Sequence, residues 1–162
     1  MSTDTATQIL INWLQEAHAM VEHGETMMSG RADALEDYPA LRERLQAHVA
    51  ESRHHAADIE SAIEALGGEL SRAKDIGGKL SALGHSWGTQ LTGETAVQSL
   101  AATLAFEHFE ISNYRALAVA AEQAGANETQ VRLARLRGDN EAMAEWLTDN
   151  LEATSRRYLQ TA

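Results

Sequence analysis

The apolar residues of this chain recur at spacings of three and four, which is the periodicity of an amphipathic α-helix. Four stretches carry this pattern, and residues that favour helix boundaries flank them. Pro39, for example, is tolerated in a first helical turn, where its missing N–H would be unpaired in any case. We expect helices from about Thr5 or Thr7 to Ser29 and Gly30, from Pro39 to Leu66, from Glu94 to Ala124 and from Glu128 to Leu159.

The connections between these stretches predict how the helices are arranged. Gly125 to Asn127 is a short turn, so the third and fourth helices should be antiparallel neighbours. The stretch from Gly67 to Gly93 is much longer and holds seven of the eleven glycines, with room for one short helix from about Ser71 to Leu83. A connection of this length can travel the height of a bundle. The predicted fold class is therefore all-α: one domain over residues 1–162, a ferritin-like four-helix bundle with a long crossover between helices 2 and 3.

Composition and charge argue against several classes of function. The formal net charge is −11, whereas non-specific binding to nucleic acid or anionic lipid demands clustered Lys and Arg. The chain has no cysteine, which excludes disulfides, thiolate metal sites and thiol chemistry. The sequence shows neither a signal-peptide pattern nor an apolar run of the roughly 18 residues that a membrane span needs. We therefore expect a cytoplasmic protein that binds neither nucleic acid nor a membrane.

One carboxylate falls on an apolar stripe. Glu107 lies on the same face of the third helix as Leu104, Ile111 and Tyr114, so its side chain should point into the core. An ionised carboxylate in an apolar interior is costly, by about several kcal/mol, unless something pairs with it. Its partner is a metal ion, a histidine or another carboxylate that shares a proton.

The core-facing residues near the middle of the helices define one candidate layer. Its members are Val21, Glu51, His55, Glu107 and Asn140. In di-iron carboxylate bundles two helices each supply a glutamate and the other two each supply a Glu-x-x-His pair, because residues three apart share a helix face. This chain contains one such pair, Glu51 with His54, and one carboxylate variant, Glu107 with Glu110.

Each of these residues also has a purely structural interpretation. Histidines on an apolar line, such as His48 and His55, are more often hydrogen-bonded core residues than metal ligands. Glu110 can lie at the helix flank in solvent, and Arg53 or Arg115 can neutralise a glutamate without a metal. Spacing alone therefore leaves the question of a metal site open.

Longer strings of the sequence resemble one family. Those in the second half of the chain are Ala105-Phe106-Glu107-His108-Phe109-Glu110-Ile111-Ser112-Asn113-Tyr114 and Glu141-Ala142-Met143-Ala144-Glu145-Trp146-Leu147. Those in the first half include Ala17-His18-Ala19-Met20, Tyr38-Pro39 and His48-Val49-Ala50-Glu51-Ser52. Together they extend over nearly the whole chain, which resembles the YciE/YciF-like family of bacterial ferritin-like stress proteins. The resemblance implies a ferritin-like bundle, often dimeric, with a carboxylate-rich metal site in its core, a link to stress response and a poorly defined activity.

The chain departs from the pattern of that family at core positions. Where such sequences usually carry a glutamate after the Ala-His-Ala-Met string, this chain has Val21. Where they usually carry two adjacent glutamates in the last helix, it has Asp139 and Asn140, and His55 stands at a position that is commonly glutamine. Val21 cannot bind a metal ion, and the amide of Asn140 offers only a neutral oxygen.

These observations lead to one preferred interpretation and two alternatives. The expected metal ligands are Glu51, His54, His55, Glu107, Glu110 and Asp139, and the cofactor is iron, manganese or zinc, or none. We expect no catalytic residue and no organic cofactor, because the chain lacks the motifs of a hydrolase or transferase. The preferred interpretation is a ferritin-like stress-associated homodimer with a degenerate core metal site, which acts as a structural or metal-binding module of undefined activity rather than as an oxidase. The alternatives are a functional iron- or manganese-binding protein in oxidant detoxification, and an interaction scaffold whose buried glutamate fixes helix register.

Overall fold

The computed structural model describes residues 2–33, 35–70 and 95–161 of the chain. Within these ranges the chain forms four helices and no strand. We number the helices α1 (Thr3–Asp33), α2 (Pro39–Ala65), α3 (Ala96–Gln123) and α4 (Asn127–Thr161). Most of the predicted crossover, with its expected short helix, lies outside the described residues.

Local sequence signals set most of the helix boundaries. Pro39 occupies the first turn of α2, as its sequence context predicts. The side-chain oxygen of Thr95 caps α3 by accepting a hydrogen bond of 3.3 Å from the N–H of Gln98. Gly67 (φ 78°) and Gly125 (φ 69°) follow α2 and α3 in the left-handed conformation that glycine adopts without strain.

Ser29 and Gly30, where the sequence predicts fraying or the end of α1, do not end the helix, which continues to Asp33. Its last turns carry Met28 and Ala32, which are buried in a cluster shared with residues of the other helices. Packing of that apolar face stabilises the helix more than a single exposed glycine destabilises it.

The four helices enclose an interior that contains two clusters of buried apolar side chains. α1 packs against α2 and along α3, α3 packs against α4, and α2 and α4 make the smallest of these four helix contacts. Large side chains from every helix are fully buried there, among them Leu10, Leu14, Ile59, Ile63, Tyr114, Leu133, Leu136 and Leu147. None of the described helices has both the length and the apolar character that a membrane crossing requires.

Candidate functional site

The polar part of the core lies between α2, α3 and α4. Glu107 and Glu110 are one turn apart on α3, and their side chains are 0% and 2% exposed. The sequence pattern predicted that Glu107 faces the core, and the structure confirms this. Glu110, for which the sequence also allowed a position in solvent, is buried beside it.

The partner of Glu107 is His48 of α2. Nε2 of His48 lies 2.9 Å from Oε1 of Glu107, and both side chains are fully buried. The direction of the ring N–H does not meet hydrogen-bond geometry, and neither oxygen of Glu107 receives a hydrogen bond from any described residue. The contact is therefore close and electrostatic, without a well-directed hydrogen bond.

The other ring nitrogen of His48 faces a second carboxylate. Nδ1 lies 2.8 Å from Oε2 of Glu51, one turn along α2. Glu51 is half-exposed and also accepts a hydrogen bond of 3.3 Å from Nη1 of Arg44. Because Glu51 connects the buried imidazole to the surface, His48 links one fully buried carboxylate to one that reaches solvent.

These contacts shift the pKa values of His48 and Glu51 in opposite directions. Burial lowers the pKa of His48, but the carboxylates of Glu107 and Glu51 more than offset this and hold it above its ordinary value. Burial raises the pKa of Glu51, but His48 and Arg44 outweigh it and hold that pKa below its ordinary value. Both shifts favour the charged forms of the pair.

Glu110 has a different environment from Glu107. Its Oε2 accepts a hydrogen bond of 2.6 Å from Nδ2 of Asn140 on α4. Burial and the nearby charge of Glu107 raise the pKa of Glu110 well above its ordinary value, and the amide of Asn140 offsets only part of this. Its surroundings therefore favour the neutral form of Glu110 more than water does.

Two further polar atoms in this region have no hydrogen-bond partner among the described residues. They are Oη of Tyr114 and Oδ1 of Asn140. Burial, followed by the charges of Glu110, Glu107 and Asp139, raises the pKa of Tyr114 well above its ordinary value. Unpartnered polar atoms in a buried layer indicate room for a further interaction, since most such atoms in folded proteins are satisfied.

The other metal ligands predicted from sequence, His54, His55 and Asp139, lie apart from the contact between His48 and Glu107. His55 is buried on α2, and its Nε2 lies 3.1 Å from Oδ2 of Asp139, at the margin where α2 and α4 meet. Burial lowers the pKa of His55, and the attraction of Asp139 only partly opposes this. Asp139 also pairs with Arg135, and His54 is exposed on α2.

Sequence reasoning did not assign His48 as the partner of Glu107. The signal was present as a His-x-x-Glu spacing from His48 to Glu51, the reverse of the Glu-x-x-His order of di-iron bundles. His48 and His55 both lie on the apolar face of α2, and which of them faces Glu107 depends on how α2 is rotated against α3. That rotation is a property of the packed bundle.

A two-metal carboxylate centre does not fit the described core. Such a centre takes carboxylates from all four helices. Here α1 offers Val21, which is 1% exposed, and α4 offers Asn140. Among the described residues, no three His, Asp or Glu side chains form a group that could hold an ion in their present positions.

Comparison with solved structures shows the same architecture in other proteins. A protein of Xanthomonas campestris pv. campestris is 33% identical over 96% of this chain and 97% of its own, with a TM-score of 0.81. The stress protein YciF of E. coli has a TM-score of 0.80 at 20% identity, over 93% of this chain and 97% of its own. The bacterioferritin of Desulfovibrio desulfuricans, a protein with a diiron site, has a TM-score of 0.80 at 18% identity, over 99% of this chain and 90% of its own.

These likenesses confirm the predicted all-α, ferritin-like bundle. A family described as "Domain of unknown function (DUF892)" matches residues 5–160. The match takes in all four helices, and the resemblance to YciF-like proteins seen in the sequence is confirmed. The chain therefore belongs to the DUF892 family, a YciF-like family of ferritin-like proteins of unknown function.

Proposed function

We propose that this protein is a ferritin-like, stress-associated protein whose core metal site is degenerate. It acts as a structural or metal-binding module and not as a di-iron oxidase. The association with stress rests on its likeness to the E. coli stress protein YciF. The observation that carries the proposal is the pair of core positions filled by Val21 on α1 and Asn140 on α4.

The charges of the core support this proposal. Two divalent cations bring four positive charges into a buried layer, and such a site needs several anionic ligands to offset their desolvation. The described core has two fully buried carboxylates, Glu107 and Glu110. Burial raises the pKa of Glu110 well above its ordinary value, and Glu107 already has the imidazole of His48 at 2.9 Å. Little negative charge is left for a second ion.

Elemental analysis of the purified full chain tests the proposal. The protein is prepared from medium supplemented with iron, manganese or zinc, and the ions bound per chain are counted after desalting. We expect fewer than two ions per chain with each metal, and no acceleration of ferrous iron oxidation by oxygen. Two ions per chain, or rapid oxidation that Glu107→Gln abolishes, would contradict the proposal.

A further inference from the structure

Three buried oxygen atoms between α3 and α4 have no hydrogen-bond partner among the described residues. They are Oε2 of Glu107, Oη of Tyr114 and Oδ1 of Asn140, and the three side chains are 0% exposed. Oε1, the other oxygen of Glu107, already faces His48 at 2.9 Å. Buried polar atoms in folded proteins nearly always have a partner, either protein or ordered water. These three atoms therefore need a partner other than the described side chains.

The three side chains lie in one part of the core. Glu107, Glu110 and Tyr114 share a stripe of α3, and because helical side chains lean toward the N-terminus of their helix, the ring of Tyr114 extends over the turn that carries Glu110. After burial, the charges of Glu110 and Glu107 are the main causes that raise the pKa of Tyr114, which agrees with this placement.

Asn140 completes the group from α4. Its Nδ2 donates a hydrogen bond of 2.6 Å to Oε2 of Glu110. Because Nδ2 and Oδ1 belong to one planar amide, this bond holds Oδ1 in the same layer and directs it away from Glu110. The three oxygens without a partner thus come from two facing helices and surround one carboxyl group.

The balance of donors and acceptors in this group indicates what the partner is. A carboxylate oxygen and an amide oxygen can only accept hydrogen bonds, whereas the phenol of Tyr114 can donate one. A partner that satisfies all three atoms donates two hydrogen bonds and accepts one, and a water molecule does this. Buried water molecules typically make about three hydrogen bonds to polar groups that would otherwise be unsatisfied.

We propose that an ordered water molecule binds in the core between α3 and α4, where it donates hydrogen bonds to Glu107 and Asn140 and accepts one from Tyr114. This water gives the neutral oxygen of Asn140 a partner and connects the stripe of α3 to α4 through a second polar contact, beside the one between Asn140 and Glu110. The inference concerns the metal-free chain, so it goes beyond the proposed function and does not depend on it.

A crystal structure of the chelator-treated full chain tests the inference, with data collected on both sides of the iron and zinc absorption edges. We expect one peak of electron density without anomalous signal at about 2.5–3.0 Å from each of the three oxygens. Absence of the peak overturns the inference, and so does an anomalous signal at a metal edge. A direct hydrogen bond from Tyr114 to Glu107 or Glu110 in place of the peak also overturns it.

Magnetic relaxation dispersion of oxygen-17 in the solvent provides a test in solution, because it counts water molecules that stay bound for longer than the protein takes to tumble. The variant Tyr114→Phe with Asn140→Leu removes two of the three partners and should lose one long-lived water per chain. Tyr158→Phe, which removes a hydroxyl at an exposed position of α4, is the matched control and should lose none.

Equal water counts in the double variant and the wild type would overturn the inference. Circular dichroism checks that the variants fold, and the crystal structure of the wild type decides the question if the double variant does not. The proposed function is tested separately, by the ions bound per chain after growth with added metal, so either conclusion can fail without the other.

Discussion

At the scale of single residues, the two buried glutamates of α3 avoid an isolated buried charge in different ways. Glu107 lies 2.9 Å from the imidazole of His48, and its carboxylate helps to raise the pKa of that histidine. Glu110 accepts a hydrogen bond from the neutral amide of Asn140, and burial raises its pKa well above the ordinary value. The two carboxyls, one helical turn apart, thus have different surroundings, because each has a different residue opposite it.

Glu110 should make the stability of the metal-free protein depend on pH. A carboxyl whose folded pKa is raised contributes stability that is fully present below its unfolded pKa, about 4.3. That contribution is lost as pH rises toward the higher folded pKa, by about 1.4 kcal/mol per pH unit within this range. We expect Glu110→Gln to reduce the loss of unfolding free energy between pH 5 and pH 8, as measured by urea denaturation in the presence of a chelator.

Glutamine suits this test because its carbonyl can still accept the hydrogen bond from Asn140. Glu145→Gln, at an exposed position of α4, is the control and should leave the pH dependence as in the wild type. An unchanged pH dependence in Glu110→Gln would show that Glu110 ionises normally in the folded protein.

At the scale of the helices, small residues decide how closely the elements approach. Gly24 of α1 is buried against α3, and a β-carbon built there would overlap the ring of Phe106. Gly138 of α4 is exposed, and nothing lies within 4 Å of a β-carbon built at that position. Both glycines lower the stability of their helices relative to alanine, but only Gly24 is needed for close packing between two helices.

This contrast predicts opposite effects of one substitution. Gly24→Ala should destabilise the protein by about 1–3 kcal/mol, because overpacking against Phe106 exceeds the gain in helix propensity. Gly138→Ala should stabilise it by about 0.5–1 kcal/mol, because only the propensity changes. Thermal or urea unfolding of the two variants measures both values. A stabilising Gly24→Ala would mean that α1 and α3 are less closely packed than the structure shows.

At the scale of the whole molecule, all four helices contribute fully buried residues to the core. α2 and α3 contribute His48, Glu107 and Glu110, whereas α1 and α4 contribute Val21 and Asn140. The bundle thus keeps the architecture of ferritin-like proteins, but both of its fully buried carboxylates among the described residues lie on α3. We therefore attribute the proposed loss of the second metal to two residues and not to the fold.

Restoring those two carboxylates should restore a second ion. We expect Val21→Glu combined with Asn140→Glu to raise the iron or manganese bound from at most one to two ions per chain. The metal-free double variant should be less stable than the wild type by several kcal/mol, roughly, because it buries unpaired carboxylates. Elemental analysis and chelator-dependent unfolding measure these effects.

The glutamine pair, Val21→Gln with Asn140→Gln, provides side chains of the same length without charge and should bind no second ion. If the glutamate pair binds no more metal than the wild type, then the positions of Val21 and Asn140 do not account for the degenerate site.

The sequence by itself determined the four helices, the all-α class and the burial of Glu107, because apolar periodicity records which face of each helix is covered. It also identified Val21 and Asn140 as core positions without a carboxylate. The contacts between helices are visible only in the tertiary structure: Glu107 contacts His48, Asn140 donates a hydrogen bond to Glu110, and His55 contacts Asp139. Residues three or four apart share a face within one helix, but contacts between helices depend on the rotation and height at which the helices pack.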